Sequence, residues 1–266
     1  MIVCRSKRTA FVHIPKTGGS SLRRQIVDFD DNDRAFSKLA RDPKLGSVER
    51  GHLRLGTLAE HYPEVFENLA ACECFAATRD PHARFRSAVS EVLKKFDDRQ
   101  QMAEMRTPEL RRRVEAIIDG LRREPPTEAP RKAHFLRQID FVYLRGRQIV
   151  QHLYPIEALP QMIRAIGDRL GVPLVTDAHD NRTVAMPVAS LRAPLKRAGL
   201  AARALLPAGA FAKVKKAALA VLARDRSERE AEVFGSRLVR DFVDEFYADD
   251  AVLYATARAR IIKGAA

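Results

Sequence analysis

Two segments of the sequence carry side chains suited to holding anionic groups, and a histidine lies between them. The first segment, Thr9 to Leu22, reads Thr-Ala-Phe-Val-His-Ile-Pro-Lys-Thr-Gly-Gly-Ser-Ser-Leu. Its apolar part, Ala10 to Ile14, predicts a β-strand, and a helix is predicted to begin near Ser21. A strand, a glycine-containing turn and a helix N-terminus together favour a bound phosphate, because backbone N–H groups and the helix dipole attract an anion.

The order of residues in this loop differs from that of an ATP-binding P-loop. The Walker A pattern places its lysine directly after the second glycine, whereas Lys16 precedes Gly18 and Gly19 here. Glycine allows a backbone to approach a ligand closely, and the hydroxyls of Ser20 and Ser21 add donors. The loop therefore predicts a phosphate cradle of another kind. An ordinary strand-to-helix turn with a surface lysine is the alternative.

The second segment follows another apolar stretch, Ala71 to Thr78, which predicts a second strand. It reads Arg-Asp-Pro-His-Ala-Arg-Phe-Arg-Ser from residue 79, and Asp80 and Pro81 are typical of a helix start. Arg79 is predicted at the carboxyl end of a strand, where open α/β sheets bind ligands. Its guanidinium and the Ser87 hydroxyl suit phosphate oxygens. The alternative is that Arg79 pairs with Asp80 or another nearby carboxylate.

The histidine between the two segments is His52, which follows Gly51 at the end of a segment, residues 46–56, predicted as extended. A glycine before a histidine permits a turn that presents the imidazole to a cleft. From the residues alone a structural role for His52 is favoured, because a lone histidine is more often structural than catalytic. No Cys/His spacing resembles a zinc site, and Cys72 and Cys74 are predicted to pack in the core rather than form a disulfide.

Strands alternating with helices predict an α/β fold with a mainly parallel central sheet flanked by helices, formed by residues 1–266 as a single domain. The other predicted strands are Phe141 to Leu144 and Gln148 to Pro155. The other predicted helices cover Thr107 to Arg123, Glu157 to Leu170, and Glu228 to Tyr247 with Phe234, Leu238, Phe242, Val243 and Phe246 inward.

Composition indicates a chain that can build a large core and that binds an anionic partner. The 266 residues are 46% hydrophobic and 30% charged, with a formal net charge of +13. Basic stretches are not interleaved with aromatic residues, so nucleic acid is not the expected partner. The sequence contains no run of 18 or more apolar residues and no signal peptide, which predicts a cytoplasmic location. A basic helical insert at 188–226 could make peripheral contact with an anionic membrane or cover the cleft.

The two anion-binding segments together resemble a known family. His13-Ile-Pro-Lys-Thr-Gly-Gly-Ser-Ser-Leu22 is similar to the 5′-phosphosulfate loop of the carbohydrate sulfotransferases, in the heparan 2-O and chondroitin-type branch. The segment Thr78 to Ala88 is similar to the 3′-phosphate motif of that family. A weaker resemblance runs through Gln138, Ile156-Glu157 and Asn181 to Tyr247-Ala-Asp-Asp250.

The resemblance implies a sulfotransferase that uses 3′-phosphoadenosine 5′-phosphosulfate (PAPS) and has a fold like that of P-loop nucleotide kinases. It implies that Arg79 and Ser87 hold the 3′-phosphate and that His52 is the general base, for which an imidazole pKa of about 6.5 is suitable. It implies no metal. Around the 5′-phosphosulfate it places Lys16, Thr17, Gly18, Gly19, Ser20 and Ser21, with Lys16 stabilising the leaving phosphate.

The implied acceptor is a hydroxyl of a carbohydrate or glycolipid. Two other functions remain open from the residues. One is a P-loop-like, ATP-dependent kinase of small molecules, which the position of Lys16 disfavours. The other is a non-enzymatic basic protein that binds membranes or polyanions, which would use the net charge of +13 but leave both phosphate motifs unexplained.

Overall fold

The computed structural model describes residues 1–36, 39–96, 101–176 and 227–264. The strands of these residues are β1 (Ile2–Cys4), β2 (Thr9–Phe11), β3 (Leu39–Asp42), β4 (Gly46–Glu49), β5 (Glu73–Thr78), β6 (Tyr143–Leu144), β7 (Arg147–Gln148) and β8 (His152–Pro155). The central sheet has the strand order β1-β2-β5-β8, and two small hairpins, β3-β4 and β6-β7, are separate from it.

The central sheet is mixed, with mostly parallel strands. β2 and β5 are parallel with Ala10 opposite Cys74, and β5 and β8 are parallel with Ala76 opposite Leu153. The edge strand β1 runs antiparallel to β2. The chain between them is a short turn in which Arg8 N–H donates to Arg5 O at 3.0 Å. A turn of this length can only join antiparallel strands, since a parallel pair needs a long crossover.

The helices follow the strands in the alternation that the sequence predicts. They are α1 (Ser20–Ile26), α2 (Leu55–His61), α3 (Pro63–Ala70), α4 (Pro81–Phe96), α5 (Thr107–Arg123), α6 (Leu159–Leu170), α7 (Arg237–Phe246) and α8 (Ala248–Gly264). Residues 227–234 are also helical. The predicted bounds of Thr107 to Arg123 are confirmed, and the helix expected near Ser21 begins at Ser20.

Both faces of the central sheet are buried, because successive side chains on a strand point to opposite sides. On β5, Cys74 and Ala76 join one apolar cluster, while Phe75 and Ala77 join another. The first cluster includes Leu55, Leu58 and Leu69 from α2 and α3, and Leu253 and Ala257 from α8. The second includes Met162, Ile163 and Ile166 from α6. Cys72 and Cys74 are buried free thiols, as predicted.

The chain divides into two compact units. The first comprises Met1–Ala88, Glu124–Asn181 and Val243–Ala266, and it contains the central sheet and every candidate site residue. The second comprises Val89–Arg123 and Arg182–Phe242. Its described part includes α5, whose buried stripe is Leu110, Val114, Ile118 and Leu121.

Besides the tail helix described below, three element predictions are wrong in detail. The segment Phe141 to Leu144 gives only the short strand β6, which pairs with β7 in a hairpin outside the central sheet. The segment Gln148 to Pro155 is two strands, because the backbone leaves the hairpin at Gln148 and enters the sheet at His152. The extended segment 46–56 is β4, followed by a 3-10 turn at Arg50–His52 and the start of α2.

The tail is not one helix from Glu228 to Tyr247. The helix is interrupted at Gly235 and Ser236, where Ser236 N–H bonds to Val233 O at 3.3 Å in a tighter turn. Beyond this interruption Leu238 is 39% exposed, whereas it was expected to face inward. Phe242 and Val243 are buried as expected. The predicted basic insert at 188–226 and Asn181 lie outside the described residues.

A search of the described residues finds no helix long and apolar enough to cross a membrane.

Candidate anion-binding site

The loop between β2 and α1 has the conformation of a tight cradle. Lys16 and Gly18 both have positive φ angles, of 65° and 86°, so two of three successive residues have the left-handed conformation that allows a tight loop. Thr17 lies between them with its side chain buried, and its hydroxyl donates to Ile14 O at 2.9 Å. This bond stabilises the loop from inside, and it directs the Thr17 hydroxyl away from any ligand held by the loop.

Gly19 is required by close packing against the strand below it. A Cβ atom added there would lie 2.7 Å from His13 Cδ2 and 2.7 Å from Phe11 Cζ. The rings of Phe11 on β2 and of His13 just after it therefore pack against the loop at Gly19. Gly19 is also the N-cap of α1, and it provides no capping side chain. Ser20 and Ser21 follow in the first turn of α1, half-buried, with their hydroxyls at the helix start.

Arg79 brings the second predicted segment to this loop. It follows β5, whose carboxyl end lies beside that of β2, because the two strands are parallel neighbours. Its guanidinium Nη1 donates to the backbone oxygen of Lys16 at 3.2 Å. A guanidinium carries four further N–H donors besides the one in this contact. Burial lowers the pKa of Arg79, and the neighbouring Arg86 lowers it further.

Asp80 caps the helix after Arg79, and its carboxylate also attracts the arginine electrostatically, as that of Glu157 does. The Asp80 carboxylate accepts a hydrogen bond from Ala83 N–H at 2.9 Å, and Pro81 is the first residue of α4, as the sequence predicts. Ser87 lies half-buried in the second turn of α4. In the part of the chain that the structure describes, Arg79 is bonded to the loop and Ser87 is not.

His52 contacts the chain between β2 and the loop, at His13. It ends the 3-10 turn Arg50–His52 and is 9% exposed, and its Nδ1 lies 3.0 Å from the backbone oxygen of His13. A carbonyl oxygen can only accept, so His52 Nδ1 carries the hydrogen. The lone pair of the neutral ring is therefore on Nε2, which is the atom available to accept a proton.

The imidazole of His52 belongs to a buried group of three. Its ring centroid lies 4.7 Å from that of His13 and 5.7 Å from that of His134. Burial holds the pKa of His52 well below 6.5. The hydrogen bond to His13 O opposes this shift, whereas electrostatic repulsion from His134, the Met1 amine and Arg23 adds to it. The pKa of His13 is also well below its usual value, chiefly through burial. The expectation of an ordinary imidazole pKa for His52 is therefore wrong.

The N-terminal amine is buried close to these histidines. It is buried, donates to Phe36 O at 3.0 Å, and has a pKa lowered to about 5, mainly by burial. Gly51 lies close to another cation, since a Cβ added there would be 2.9 Å from Arg23 Nη1. An amine with a pKa of about 5 is mostly neutral at pH 7, so Arg23 is the charged group of this set, and its positive charge favours an anion nearby.

A buried polar network holds the residue that follows β5. Gln138 is fully buried and bonds to both the backbone N–H and the backbone carbonyl of Arg79, at 2.9 and 2.8 Å. Asp250 in turn accepts from Gln138 N–H at 2.8 Å and lies 3.5 Å from Arg84 Nη2. Sequence reasoning assigned Gln138 and Asp250 no role, because their contacts with Arg79 and Arg84 span 59 and 166 residues.

Among the described residues, no group of three or more His, Cys, Asp or Glu side chains could hold a metal ion. Comparison of the chain with protein-family models, with curated proteins and with solved structures gave no match. The geometry of the site and the resemblance of its motifs are therefore the grounds for a function.

Proposed function

We propose that this protein is a sulfotransferase that transfers the sulfuryl group of PAPS to a hydroxyl of a carbohydrate or glycolipid, on a fold like that of P-loop nucleotide kinases. The observation that carries the proposal is the hydrogen bond from Arg79 Nη1 to Lys16 O, at 3.2 Å. It joins two segments, 63 residues apart in sequence, that were each predicted to bind a phosphate. A nucleotide with anionic groups at both its 5′ and 3′ positions suits such a pair.

The residues of the loop fit a phosphosulfate group. The close packing of Gly19 leaves no room for a side chain toward His13, and the left-handed Gly18 keeps the loop backbone tight. Lys16 provides the full positive charge, and Ser20 and Ser21 provide hydroxyl donors at the start of α1. On the other side, Arg79 would hold the 3′-phosphate, with Ser87 as its predicted partner.

PAPS supplies a sulfuryl group bonded to a phosphate that leaves readily. The charge that develops on the bridging oxygen requires stabilisation, and Lys16 with the loop N–H groups would provide it. His52 would accept the acceptor hydroxyl's proton at Nε2, because its Nδ1 hydrogen is already committed to His13 O. As the acceptor oxygen bonds to sulfur, the bond from sulfur to the bridging oxygen breaks, which yields a sulfate ester and 3′-phosphoadenosine 5′-phosphate (PAP).

The direct test is a transfer assay with sulfur-labelled PAPS against a panel of heparan, chondroitin, dermatan and glycolipid acceptors. The wild-type protein should label at least one acceptor class. The Lys16→Ala variant should label it about 10²–10³-fold more slowly, as expected when one transition-state donor is removed. Lys7→Ala is the matched control, because Lys7 is an exposed lysine that precedes the opposite end of β2.

Three outcomes would contradict the proposal. One is equal transfer by wild type and Lys16→Ala, and another is no transfer by wild type to any acceptor of the panel. The third is a wild-type protein that PAP does not stabilise against heat, since a ligand that binds the folded state raises its stability. Stabilisation by ATP with magnesium instead would favour the kinase, and capture by anionic vesicles without nucleotide binding would favour the basic binding protein.

A further inference from the structure

Gln138 occupies the position that a neighbouring strand would take beside Arg79. The ladder between β5 and β8 ends with Thr78 opposite Pro155, so Arg79 lies one residue past the end of the sheet. There the Gln138 side-chain oxygen accepts from Arg79 N–H at 2.9 Å, and the side-chain nitrogen donates to Arg79 O at 2.8 Å. One amide group thus satisfies both backbone groups of the arginine, as a peptide of a paired strand would.

The Gln138 side chain is itself held from behind. The Asp250 carboxylate accepts from the backbone N–H groups of Gln138 and Ile139, at 2.8 and 2.9 Å. The Arg84 guanidinium lies 3.5 Å from Asp250 and donates to Leu136 O at 2.7 Å. Gln138, Asp250 and Arg84 are all at most 1% exposed. Among the described residues Arg84 Nε has no hydrogen-bond partner, but the Gln138 amide and the Asp250 carboxylate are both bonded. Buried bonds of this kind fix the position of the residues they join.

We propose that Gln138 is a positioning residue that fixes the backbone of Arg79 so that its guanidinium points to the loop and to the 3′-phosphate of the bound nucleotide. The inference rests on the proposed function. Arginine is a long side chain with many rotamers, so the direction of its guanidinium depends on a fixed Cα–Cβ bond. From the backbone position that Gln138 holds, Arg79 reaches Lys16 O at 3.2 Å.

The test compares the affinities of PAP and AMP, which differ in the 3′-phosphate. Gln138→Met keeps the length of the side chain and removes both hydrogen bonds. We expect this variant to lower the preference for PAP, measured as the Kd of AMP divided by the Kd of PAP, at least tenfold. The dissociation constant of AMP itself should change less than threefold. In the transfer assay the KM for PAPS should rise while kcat stays within threefold, because the 3′-phosphate is remote from the reacting sulfur.

Gln151→Met is the matched control. Its side-chain oxygen accepts from Cys74 N–H at 2.9 Å, so it bonds to the same strand, β5, near its amino end. This variant should leave both affinities as in the wild type. If Gln138→Met does not fold, Gln138→Asn takes its place, since it keeps an amide and withdraws it from Arg79 by one methylene group.

Two results separate the failure of this inference from the failure of the proposed function. A wild-type protein that binds PAP no more tightly than AMP overturns the proposed function together with the inference. A wild-type protein that prefers PAP, with a folded Gln138 variant that keeps the full preference, overturns only the role of Gln138. A fall in preference of equal size in Gln151→Met would also overturn it, because the effect would then be a general loss of sheet stability.

Discussion

Replacing His52 tests both its role as a base and the electrostatics that the structure gives it. A positioned general base contributes about 10²–10⁴-fold to a rate, or about 2.7–5.4 kcal/mol of the barrier. We therefore expect His52→Ala to lower kcat by that factor. Its PAP affinity should stay within about threefold of the wild type, since no phosphate is assigned to the imidazole. His61→Ala is the control, a histidine at the end of α2, 3.9 Å from Glu60.

The pH profile gives the sharper result. Burial, together with repulsion from His134, the Met1 amine and Arg23, holds the pKa of His52 well below 6.5 despite the hydrogen bond to His13 O, so the ring is neutral at pH 6.5 and above. An ordinary imidazole with a pKa of about 6.5 would be half-protonated there, and kcat/KM would about double between pH 6.5 and 8. We expect kcat/KM to be flat over this range and to fall only at lower pH.

The kcat profile should differ from the kcat/KM profile in a defined direction. It reports the enzyme with substrate bound, whereas kcat/KM reports the free enzyme. A polyanionic nucleotide raises the pKa of a nearby imidazole, so the acid limb of kcat should lie at higher pH. The pKa values of His13 and His52 are lower in the folded than in the unfolded chain. The free energy of unfolding therefore decreases as the pH is lowered below about 6.5. Circular dichroism at each pH separates the two effects.

An unchanged kcat in His52→Ala would remove this histidine from the mechanism. A twofold rise of the wild-type kcat/KM between pH 6.5 and 8 would instead contradict the buried electrostatics.

Two further changes test the network and the loop. Asp250→Asn should lower the free energy of unfolding by about 2–4 kcal/mol in urea titrations, because it leaves a buried backbone N–H unsatisfied and Arg84 without its carboxylate. Its exposed neighbour Asp249, 3.6 Å from Arg137, should tolerate the same change within about 0.5 kcal/mol, and equal losses would show that Asp250 has no special role. Gly19→Ala should cost about 1–3 kcal/mol and weaken PAP binding, since its Cβ would lie 2.7 Å from two rings. Gly120→Ala in α5 is the control: its added Cβ meets no atom within 4 Å, and its free energy of unfolding should rise by up to about 1 kcal/mol. A Gly19→Ala variant as stable as the wild type would contradict the close packing of the loop.

The convergence of the loop and Arg79 could be predicted from sequence because it follows from local patterns. Each segment is an apolar strand followed by a helix-start signal, and parallel neighbours bring their carboxyl ends to one edge. The α5 helix was predicted to the residue, since its apolar stripe is regular between a threonine at its start and a double arginine at its end. The hydrogen bond between Arg79 and Lys16 is the consequence of these two local features.

The parts that could not be predicted depend on contacts between distant residues. The lowered pKa of His52 comes from burial and from repulsion by His134, 82 positions away, which no spacing reveals. The edge strand β1 was missed because three apolar residues do not form a period, and it makes the sheet mixed. The tail was predicted as one continuous helix, because the apolar pattern continues on both sides of the interruption at Gly235.

The most direct measurement of the central claim is calorimetric binding of PAP and of ATP with magnesium to the wild-type protein. The paired segments at Lys16 and Arg79 predict that PAP, which has phosphates at both ends of its ribose, binds at least about tenfold more tightly, or about 1.4 kcal/mol. Replacing Arg79 with alanine should remove most of this difference. ATP with magnesium binding as tightly as PAP, or more tightly, would contradict a site built for a nucleotide with a 3′-phosphate.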